Sequence, residues 1–366
     1  MRFTAALLTL SLVACASDSS SGDGGTASAA TDSSAAAQSA SDAGAQSPGS
    51  TDTSMMARLA GGPVTSLPPN ELGRIPVLEY HLIGEPAGRW TRTPAELRSD
   101  MQLLYDRGYR PVNMTDVLDR NLNLPAGMSP VVFVFDDASP SQFRYIEKGD
   151  SLEIDPASAI GVWLDFQKAH PDWDSRAVFC VLSGAEAGRS FFGNKEIEGQ
   201  KSEWRFRKLQ FLAQKGFEIC NHTLWHMTMS KYGDDAVQEQ IARLDLAVDS
   251  ALPGYRIRTL ALPLGEWPKN RALAHQGKWT DPKTGKVRSY DYDAVLLVAG
   301  GPARSPYDTA FDPLLITREQ ILGDQLRKLL DQMDRSGNRY VSDGNPSVVA
   351  KPVARTAVQP ANPVTQ

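Results

Sequence analysis

Short apolar runs alternate with segments of helical periodicity along most of this sequence, between two polar ends. The apolar runs include IPVLEYH at residues 75–81, VVFVF at 131–135 and AVFCVL at 177–182. Strands that alternate with helices favour an α/β architecture with a largely parallel sheet, because each helix returns the chain to the same end of the sheet. The pattern extends over about residues 71–344, which is enough chain for one large domain of barrel size.

Capping signals predict where two of the helices begin. Thr93 and Glu96 form a capping box, and Gly108 is expected to end the helix that follows them. Thr317 and Gln320 form a second such pair, which predicts another helix near the end of the domain. The remaining expected elements are helices near 204–214, 235–250 and up to about Met333, and strands at FEIC, RTLALP and DAVLLVA.

The first fifteen residues, MRFTAALLTLSLVAC, have the features of a secretory signal. A positive charge at Arg2 precedes an apolar run from Phe3 to Val13, which is too short to span a bilayer as a stable anchor. The segment LVAC resembles a bacterial lipobox, which implies lipidation of Cys15. We therefore expect residues 1–15 to be a lipoprotein signal peptide, and the protein to be exported and anchored to a bacterial membrane, in the periplasm or at the cell surface. An ordinary secretion signal is the alternative.

Both ends of the mature chain have compositions that cannot build a core. Residues 16–70 consist largely of Ser, Ala, Gly, Asp and Thr, which predicts a disordered tether. Residues 345–366 are rich in Pro, Val and Ala without periodicity, which predicts a disordered tail. A net charge of −5 and a pI near 5.6 argue against nucleic-acid binding. We expect a monomer whose membrane contact is through the lipid alone.

Three cysteines are few for an exported chain, and Cys15 is expected to carry the lipid. Cys180 and Cys220 both lie in apolar strand-like runs. They can form a disulfide only if the two strands are neighbours in the sheet. We expect buried free thiols instead, since reduced cysteine is among the most buried residue types.

Acidic and imidazole side chains follow two of the predicted strands. The run VVFVF ends in Asp136 and Asp137, and FEIC leads into NHTLWH, which contains His222 and His226. The carboxyl ends of parallel strands meet at the same end of the sheet, so these side chains are expected to lie close together. One carboxylate and two imidazoles suit a catalytic divalent metal, and histidines four residues apart converge on a helical turn. The alternatives are capping aspartates and unrelated surface histidines.

These motifs resemble those of the polysaccharide deacetylases of carbohydrate esterase family 4, which share a NodB homology domain. VFVFDDA is similar to the family's first motif, usually ending Phe-Asp-Asp-Gly, and GFEICNHTLWH to its second, usually Gly-His-Glu-Ile-Gly-Asn-His-Thr-x-x-His. The similarity extends over about residues 74–330. It implies a distorted (β/α) barrel of about seven strands, hydrolysis of acetyl groups on sugars, and a divalent metal, with Zn²⁺ as the default and Co²⁺, Ni²⁺ or Mn²⁺ as alternatives.

The resemblance assigns Asp136 as the general base and Asp137, His222 and His226 as the metal ligands. A metal held by such ligands polarises the acetyl carbonyl and lowers the pKa of bound water, while the base accepts the proton of the attacking water.

Other positions depart from the family pattern. The run ALPLG at 261–265 takes the place of the usual Arg-x-Pro-Tyr-Gly, so the N–H of Leu264 is expected to bind the oxyanion. Ala261 stands where the family has the arginine that orients the base. Arg304 is a candidate substitute, although a solvated loop position is the default for it. The usual C-terminal Leu-x-His segment is absent, since LLITREQ contains no histidine and His275 is the last in the chain.

His81 is therefore expected to be the proton donor for the leaving group. It ends the first strand, at the same rim as the aspartates, and imidazole titrates near neutrality. LEYH also resembles a segment found before the Asp-Asp motif in deacetylases of poly-N-acetylglucosamine; the alternative is a residue that only caps the strand. Trp267 is the expected aromatic contact to the sugar, whereas Trp225 is expected to pack in the core.

The expected function is metal-dependent removal of acetyl groups from an N- or O-acetylated cell-surface or extracellular polysaccharide. Two alternatives stay open. One is a non-catalytic carbohydrate-binding relative, which Ala261 and the missing histidine favour, and the other is a metal-dependent amidase or esterase acting on a non-sugar substrate. The presence of Asp136 favours an enzyme, because a protein that only binds sugar needs no base beside the metal.

Overall fold

The protein is described by a computed structural model that covers residues 61–184 and 190–352. Fourteen strands occur in these ranges: β1 Val77–Tyr80, β2 Leu82–Ile83, β3 Thr91–Arg92, β4 Tyr109–Pro111, β5 Ser129–Asp136, β6 Tyr145–Lys148, β7 Ser151–Ile154, β8 Val178–Val181, β9 Glu218–Asn221, β10 Thr259–Ala261, β11 Gln276–Thr280, β12 Val287–Asp291, β13 Ala294–Leu296 and β14 Glu319–Gln320. The α-helices of the same ranges are α1 Pro94–Asp106, α2 Met114–Leu118, α3 Ala159–Ala169, α4 Trp204–Lys215, α5 Asp234–Ala251 and α6 Gln325–Ser336.

One parallel sheet organises the domain. Its strand order is β13–β10–β9–β8–β5–β1–β14, and the short strand β4 pairs with β5. A bridge between Leu296 and Ile316 joins β13 to the segment just before β14, where the N–H of Ile316 donates to the carbonyl of Val295 at 3.0 Å. The sheet therefore curls back towards its first strand. The architecture is the predicted distorted (β/α) barrel, with seven strands in its main path.

Side chains alternate between the two faces of the sheet along β5, which is buried over its whole length. Phe133 and Phe135 belong to the layer between the sheet and the helices, where Phe133 meets Trp163 of α3 edge to face at 5.1 Å. Val132 and Val134 belong to a second cluster that receives residues from most strands of the main sheet and fills the barrel interior. Two apolar faces explain why this strand reads as a continuous apolar run.

The first predicted helix start is observed. The hydroxyl of Thr93 accepts the N–H of Glu96 at 3.0 Å, and the carboxylate of Glu96 accepts the N–H of Thr93 at 2.8 Å. Leu97 and Met101 form part of the buried stripe of α1. Gly108 follows the helix with φ +78°, a conformation that glycine adopts without steric cost.

The second predicted helix start is wrong. Glu319 and Gln320 form β14, which pairs in parallel with Leu78 and Glu79 of β1, and the helix begins only at Gln325. A capping pair is a local signal, whereas the strand is selected by backbone hydrogen bonds to a part of the chain about 240 residues away. This difference matters for the site, because Arg318 immediately precedes this strand.

The expectation of free thiols is also wrong. Cys180 of β8 and Cys220 of β9 stand directly opposite each other in the parallel ladder and form a disulfide, with their Cα atoms 4.1 Å apart. Hydrophobic periodicity shows that each segment is a strand, but it does not show which strands are neighbours.

The predicted ends lie partly inside the described ranges. The N–H of Thr65 donates to the carbonyl of Gly127 at 2.9 Å, and Ala350 exchanges hydrogen bonds with Glu71, at 2.8 and 3.0 Å. The signal peptide, Cys15, most of the predicted tether and residues 353–366 lie outside the described residues, so those boundaries stay predictions. None of the helices in the described ranges combines the length and apolar composition needed to cross a bilayer.

Candidate active site

Strand alternation directs polar side chains into one end of the barrel. Asp136 ends β5 with the same inward direction as Val134, and His222 follows Cys220 in the same way beyond β9. Glu79 of β1 also faces inward, next to Asp136. All three polar side chains are buried, although burial of unpaired charges is costly, so they must be stabilised by partners within the site.

Asp137, His222 and His226 come together as predicted from the motifs. The Oδ1 atom of Asp137 lies 3.5 Å from Nε2 of His222 and 3.4 Å from Nε2 of His226. One potential ligand atom from each residue lies within 4.8 Å of the others. This set of one carboxylate and two imidazoles, two of them buried and one half-buried, has the composition of a catalytic divalent-metal site.

The backbone of strand β10 fixes the orientation of His222. Its Nδ1 lies 2.9 Å from the carbonyl oxygen of Ala261, and a carbonyl can only accept, so Nδ1 carries the proton. Nε2 is therefore the ring nitrogen that faces Asp137 and can serve as a ligand atom. Such a hydrogen bond on the far nitrogen is the usual support of a metal-binding histidine.

The two histidines do not lie on a helical turn, so the expectation that a helix brings them together is wrong. The chain from 222 to 226 is an irregular turn in which Thr223 has φ +67° and His226 has φ +57°. Asn221 stabilises this turn, because its Oδ1 accepts the N–H of Thr223 at 2.7 Å while its Nδ2 donates to Asp245 at 3.0 Å. The rings of His222 and His226 still converge, with their centroids 4.9 Å apart.

Arg318 forms the principal ion pair of Asp136. Its Nη1 lies 2.9 Å from both carboxylate oxygens of Asp136, and both side chains are buried. Burial alone would raise the pKa of Asp136, but the charge of Arg318, with a contribution from His222, holds it below the usual range. The carboxylate is therefore ionised and fixed in orientation at neutral pH.

Arg318 was not identified from the sequence. It contacts Asp136, the residue that an arginine at position 261 is expected to orient from the family resemblance, whereas this chain has alanine there. The helix start predicted at Thr317 is incompatible with a strand at this position. Arg304, the candidate substitute, instead pairs with Asp308 at 2.8 Å on the exposed surface. This agrees with the expectation of a solvated loop position. Residues 317–320 contain no local pattern that favours a strand, so the sequence does not indicate that Arg318 lies next to a strand end of the barrel.

Glu79 and His81 lie on the other side of Asp136. The Nε2 atom of His81 is 3.5 Å from Oε1 of Glu79, and the Oε2 atom of Glu79 is 3.1 Å from Nη2 of Arg318. Burial raises the pKa of Glu79 to about 7 even though the positive charge of Arg318 opposes this. For His81, burial has the opposite effect and lowers the pKa, although the negative charges of Asp136 and Asp137 act to raise it.

A second group of potential metal ligands, Glu79, His81 and Asp136, also lies within 4.8 Å. Arg318 contacts both carboxylates of this group, so a cation bound there would face a fixed positive charge at short range. The electrostatics are different around Asp137, where burial would raise the pKa but His222 and His226 lower it well below its usual range. A cation therefore fits Asp137, His222 and His226 better than this second group, and cation binding itself stays a prediction.

Leu264 lies in a tight turn beyond β10. It has φ +57° and is exposed, and the neighbouring Gly265 has φ +70°. The N–H groups of Gly265 and Glu266 donate to Leu262 and Pro263, at 3.0 and 3.1 Å. Within the described residues, the N–H of Leu264 donates to no protein acceptor, so it is available to a ligand. Its role as the oxyanion donor stays a prediction.

One of the two tryptophans differs from expectation. Trp225 is 55% exposed and does not pack in the core. Trp267 is half-buried, packs against the core and has the guanidinium of Arg271 5.0 Å from its ring centroid. Its role as a sugar contact stays a prediction.

Comparison with known proteins gives the same family as the motifs. Residues 163–277 match the family model described as polysaccharide deacetylase. A chitooligosaccharide deacetylase of Sinorhizobium fredii (strain NBRC 101917 / NGR234) is 26% identical over 121 residues, which are 32% of this chain and 54% of the relative. The chain thus spans about half the length of that curated relative. The matched family region contains both histidines of the site, whereas His81, Asp136, Asp137 and Arg318 lie outside it.

A solved structure shows the same fold. The Streptococcus pyogenes deacetylase PplD, solved in complex with acetate, superposes with a TM-score of 0.50 at 18% identity, covering 71% of this chain and 97% of that one. IcaB from Ammonifex degensii has a TM-score of 0.48 at 18% identity, covering 71% and 96% of the two chains. The family match over residues 163–277 and the fold therefore agree with the motifs in making this chain similar to polysaccharide deacetylases.

Proposed function

We propose that this protein is a metal-dependent hydrolase that removes acetyl groups from an N- or O-acetylated polysaccharide outside the cytoplasm. The observation that carries the proposal is the arrangement of two adjacent aspartates. Asp137 faces the two histidines, and Asp136 is held by Arg318. The pair therefore divides into one ligand and one base, as hydrolysis requires and as sugar binding alone does not.

The donor set fits a divalent ion. Asp137, His222 and His226 would hold it, with the Nδ1–H bond of His222 to Ala261 orienting one imidazole. When bound, the ion polarises the acetyl carbonyl and acidifies water. Nitrogen and oxygen donors accept Zn²⁺ and also Co²⁺, Ni²⁺ or Mn²⁺, and Zn²⁺ is the default.

Asp136 acts as the general base on the attacking water. Its low pKa ensures that it is ionised, and the two hydrogen bonds from Arg318 leave little rotational freedom to the carboxylate. Arg318 itself remains charged, because burial would lower its pKa but the two carboxylates beside it raise it. Orientation of a base in this way contributes to rate because proton transfer requires a fixed donor–acceptor geometry.

His81 supplies the proton to the leaving amine or alcohol. It is one-fifth exposed, so it is accessible from the barrel mouth, and Glu79 lies 3.5 Å from its Nε2. Because the pKa of Glu79 is raised to about 7, the Glu79–His81 pair can hold a proton near neutrality. The exposed turn at Leu264 offers an N–H group for the oxyanion that forms at the acetyl carbon.

Export and anchoring are part of the proposal. They are supported by the signal-like segment that ends at Cys15 and by the disulfide between Cys180 and Cys220, since disulfides persist in oxidising compartments. Loss of membrane fractionation in Cys15→Ser, or processing that is sensitive to globomycin, would support the lipid anchor. A mature wild-type protein that is freely soluble would contradict it.

The proposed activity is tested by acetate release from a panel of N- and O-acetylated glycans, with the enzyme loaded in turn with each candidate metal. We expect metal-dependent release that Asp136→Asn abolishes. Glycan binding without turnover in every metal form would favour the binding-protein alternative. Turnover of aryl or peptide acetyl groups with no release from any glycan would favour the non-sugar alternative.

A further inference from the structure

Two exposed tryptophans lie beside the site. Trp90 is 41% exposed and Trp225 is 55% exposed, and each adjoins a residue of the proposed machinery. Trp90 packs against His81, with ring centroids 5.0 Å apart, and Trp225 directly precedes His226 in the chain. Large aromatic surfaces left open to water beside a polar cleft are typical of ligand contacts.

The backbone around Trp90 is anchored although its indole is exposed. The carbonyl of Trp90 accepts the N–H of Leu82 at 2.9 Å, which belongs to the small parallel pair of β2 and β3. Two residues later, Arg92 forms a buried ion pair with Asp100 at 2.7 Å. The ring has Arg89 5.1 Å from its centroid, so one part of its surface is covered by a flexible side chain. This fixed backbone holds the indole beside His81.

The backbone around Trp225 is anchored as well. Its N–H donates to Oε1 of Gln240 at 3.0 Å, and the N–H of Leu224 donates to the carbonyl of the same glutamine at 3.0 Å. The indole lies so close to Gly184 that a side chain at that position would collide with it. Gly184 is itself fixed by its N–H bond to the carbonyl of Leu224, at 2.8 Å.

The two indoles flank opposite sides of the chemistry. Trp90 belongs to the β1 side, whereas Trp225 follows β9, and β5 and β8 lie between those strands. Strands β1 and β9 are three spacings apart, or roughly 14 Å along the sheet at about 4.8 Å each. His81, Asp136 and His222 form the polar row between them, with Asp136 and His222 in contact at 3.9 Å. A single pyranose ring is shorter than this strand separation, so the two indoles suit different units of a glycan chain.

We propose that Trp90 and Trp225 are sugar-stacking subsites on either side of the reacting acetyl group, so that the preferred substrate is an internal unit of a glycan chain. This inference rests on the proposed deacetylase function. The apolar C–H face of a pyranose ring packs on an indole, which is why exposed tryptophans suit a glycan. Trp90 contacts the chain on the side of the proton donor, and Trp225 contacts it on the side of the metal ligands.

The test compares two substrates for each variant. Trp90→Ala and Trp225→Ala are assayed with hexameric N-acetylglucosamine and with an aryl acetate that has no sugar to stack. We expect the ratio of kcat/KM on the hexamer to that on the aryl acetate to fall by about tenfold in each variant, mainly through KM on the hexamer. Phe206→Ala is the control, because Phe206 is 38% exposed on α4 and is not next to a site residue; its ratio should equal that of the wild type.

Product mapping gives an independent readout. Wild-type enzyme stopped after one turnover should yield hexamer that lacks an acetyl group at an internal unit. Equal fractional losses on both substrates in the tryptophan variants, an unchanged ratio, a fall confined to kcat on the hexamer, which would indicate a disturbed His81, or deacetylation at the terminal units alone would each overturn the inference. Failure of the proposed function looks different, since the metal-loaded wild type would then release no acetate from the hexamer.

Discussion

Arg318 and Asp136 are 182 residues apart in the chain and are joined by two hydrogen bonds of 2.9 Å at the mouth of the barrel. Arg318→Lys keeps a positive charge, but a single ammonium group cannot contact Asp136, Glu79 and the carbonyl of Leu297 together as the guanidinium does, so the base loses its fixed orientation. We expect kcat to fall by about tenfold or more while metal content stays unchanged. Steady-state kinetics together with elemental analysis would check this.

Arg304→Lys is the matched control, because Arg304 pairs with Asp308 on the exposed surface. It should leave kcat and stability at wild-type values. Arg318→Met should also lower the free energy of unfolding by about 3–5 kcal/mol, since it leaves two buried carboxylates without their cation. Wild-type kcat in Arg318→Lys would exclude Arg318 as the residue that orients the base.

Removal of a ligand and removal of the base should have different effects. Asp137→Ala and His222→Ala each delete one donor of the proposed metal site, so elemental analysis should show depleted metal. Asp136→Asn keeps all three donors and should retain the ion while losing most turnover. Full metal occupancy in both ligand variants would refute the assignment.

The proton donor can be separated from the rest of the site by the choice of leaving group. His81→Ala should lower turnover of N-acetyl substrates by about 10²-fold, whereas activated aryl acetates, whose leaving group needs little protonation, should be spared. His275→Ala, at a position outside the site, serves as the control. A uniform loss on both substrates, or none on either, would remove His81 from the mechanism.

Glu218 predicts a pH dependence of stability that is independent of the metal site. It is buried at the start of β9, and burial raises its pKa to about 7, although hydrogen bonds from Thr115 and Thr259 oppose this. The folded protein therefore holds a proton that the unfolded chain releases at lower pH. This stabilisation is complete below about pH 4.5, the ordinary value, and is lost as the pH rises through about 7.

Glu218→Gln should remove that dependence. Its amide retains an oxygen for the N–H of Thr115 and never ionises, so the unfolding free energy should fall less between pH 4.5 and 7 than in the wild type, by an amount on the order of 3 kcal/mol. Urea titrations across this range measure it. The exposed Glu153 supplies the control variant Glu153→Gln, and parallel curves for all three proteins would contradict the prediction.

Leu264→Gly should stabilise the fold. Leucine at φ +57° carries a steric cost of about 1–2 kcal/mol, and glycine removes it at an entropic cost of about 0.5–1 kcal/mol. The side chain is 61% exposed, so little packing is lost. We expect a gain of about 0.5–1 kcal/mol in urea denaturation. A lower midpoint in the variant would show that the leucine side chain contributes more than its backbone strain costs.

Local and periodic features explain what could be predicted from the sequence. The apolar run of β5 predicts a buried strand, and the capping box at Thr93 predicts the start of α1; both are observed. The convergence of Asp137 with the two histidines follows from parallel strand ends. These features depend on neighbouring residues or on a rule that holds for all parallel sheets.

The missed features depend on strand neighbours instead. Pairing of β8 with β9 forms the disulfide of Cys180 and Cys220, and pairing of β14 with β1 brings Arg318 to Asp136. Neither pairing leaves a periodic signal in the sequence. At position 317 a valid capping pair was overridden by these long-range backbone hydrogen bonds.

The position of Arg318 on the segment that closes the barrel has a consequence for how such chains are classified and redesigned. A motif scan that requires arginine at position 261 would sort this protein with inactive homologues, although a guanidinium reaches the same carboxylate from a different strand. The proposed chemistry requires a positive charge beside the carboxylate of Asp136. In a closed barrel, a side chain from any of several strand ends can supply that charge. Transfer of Asp137, His222 and His226 to another scaffold would therefore not reproduce the site. The segment that contains Arg318 and pairs with β1 would have to be transferred as well.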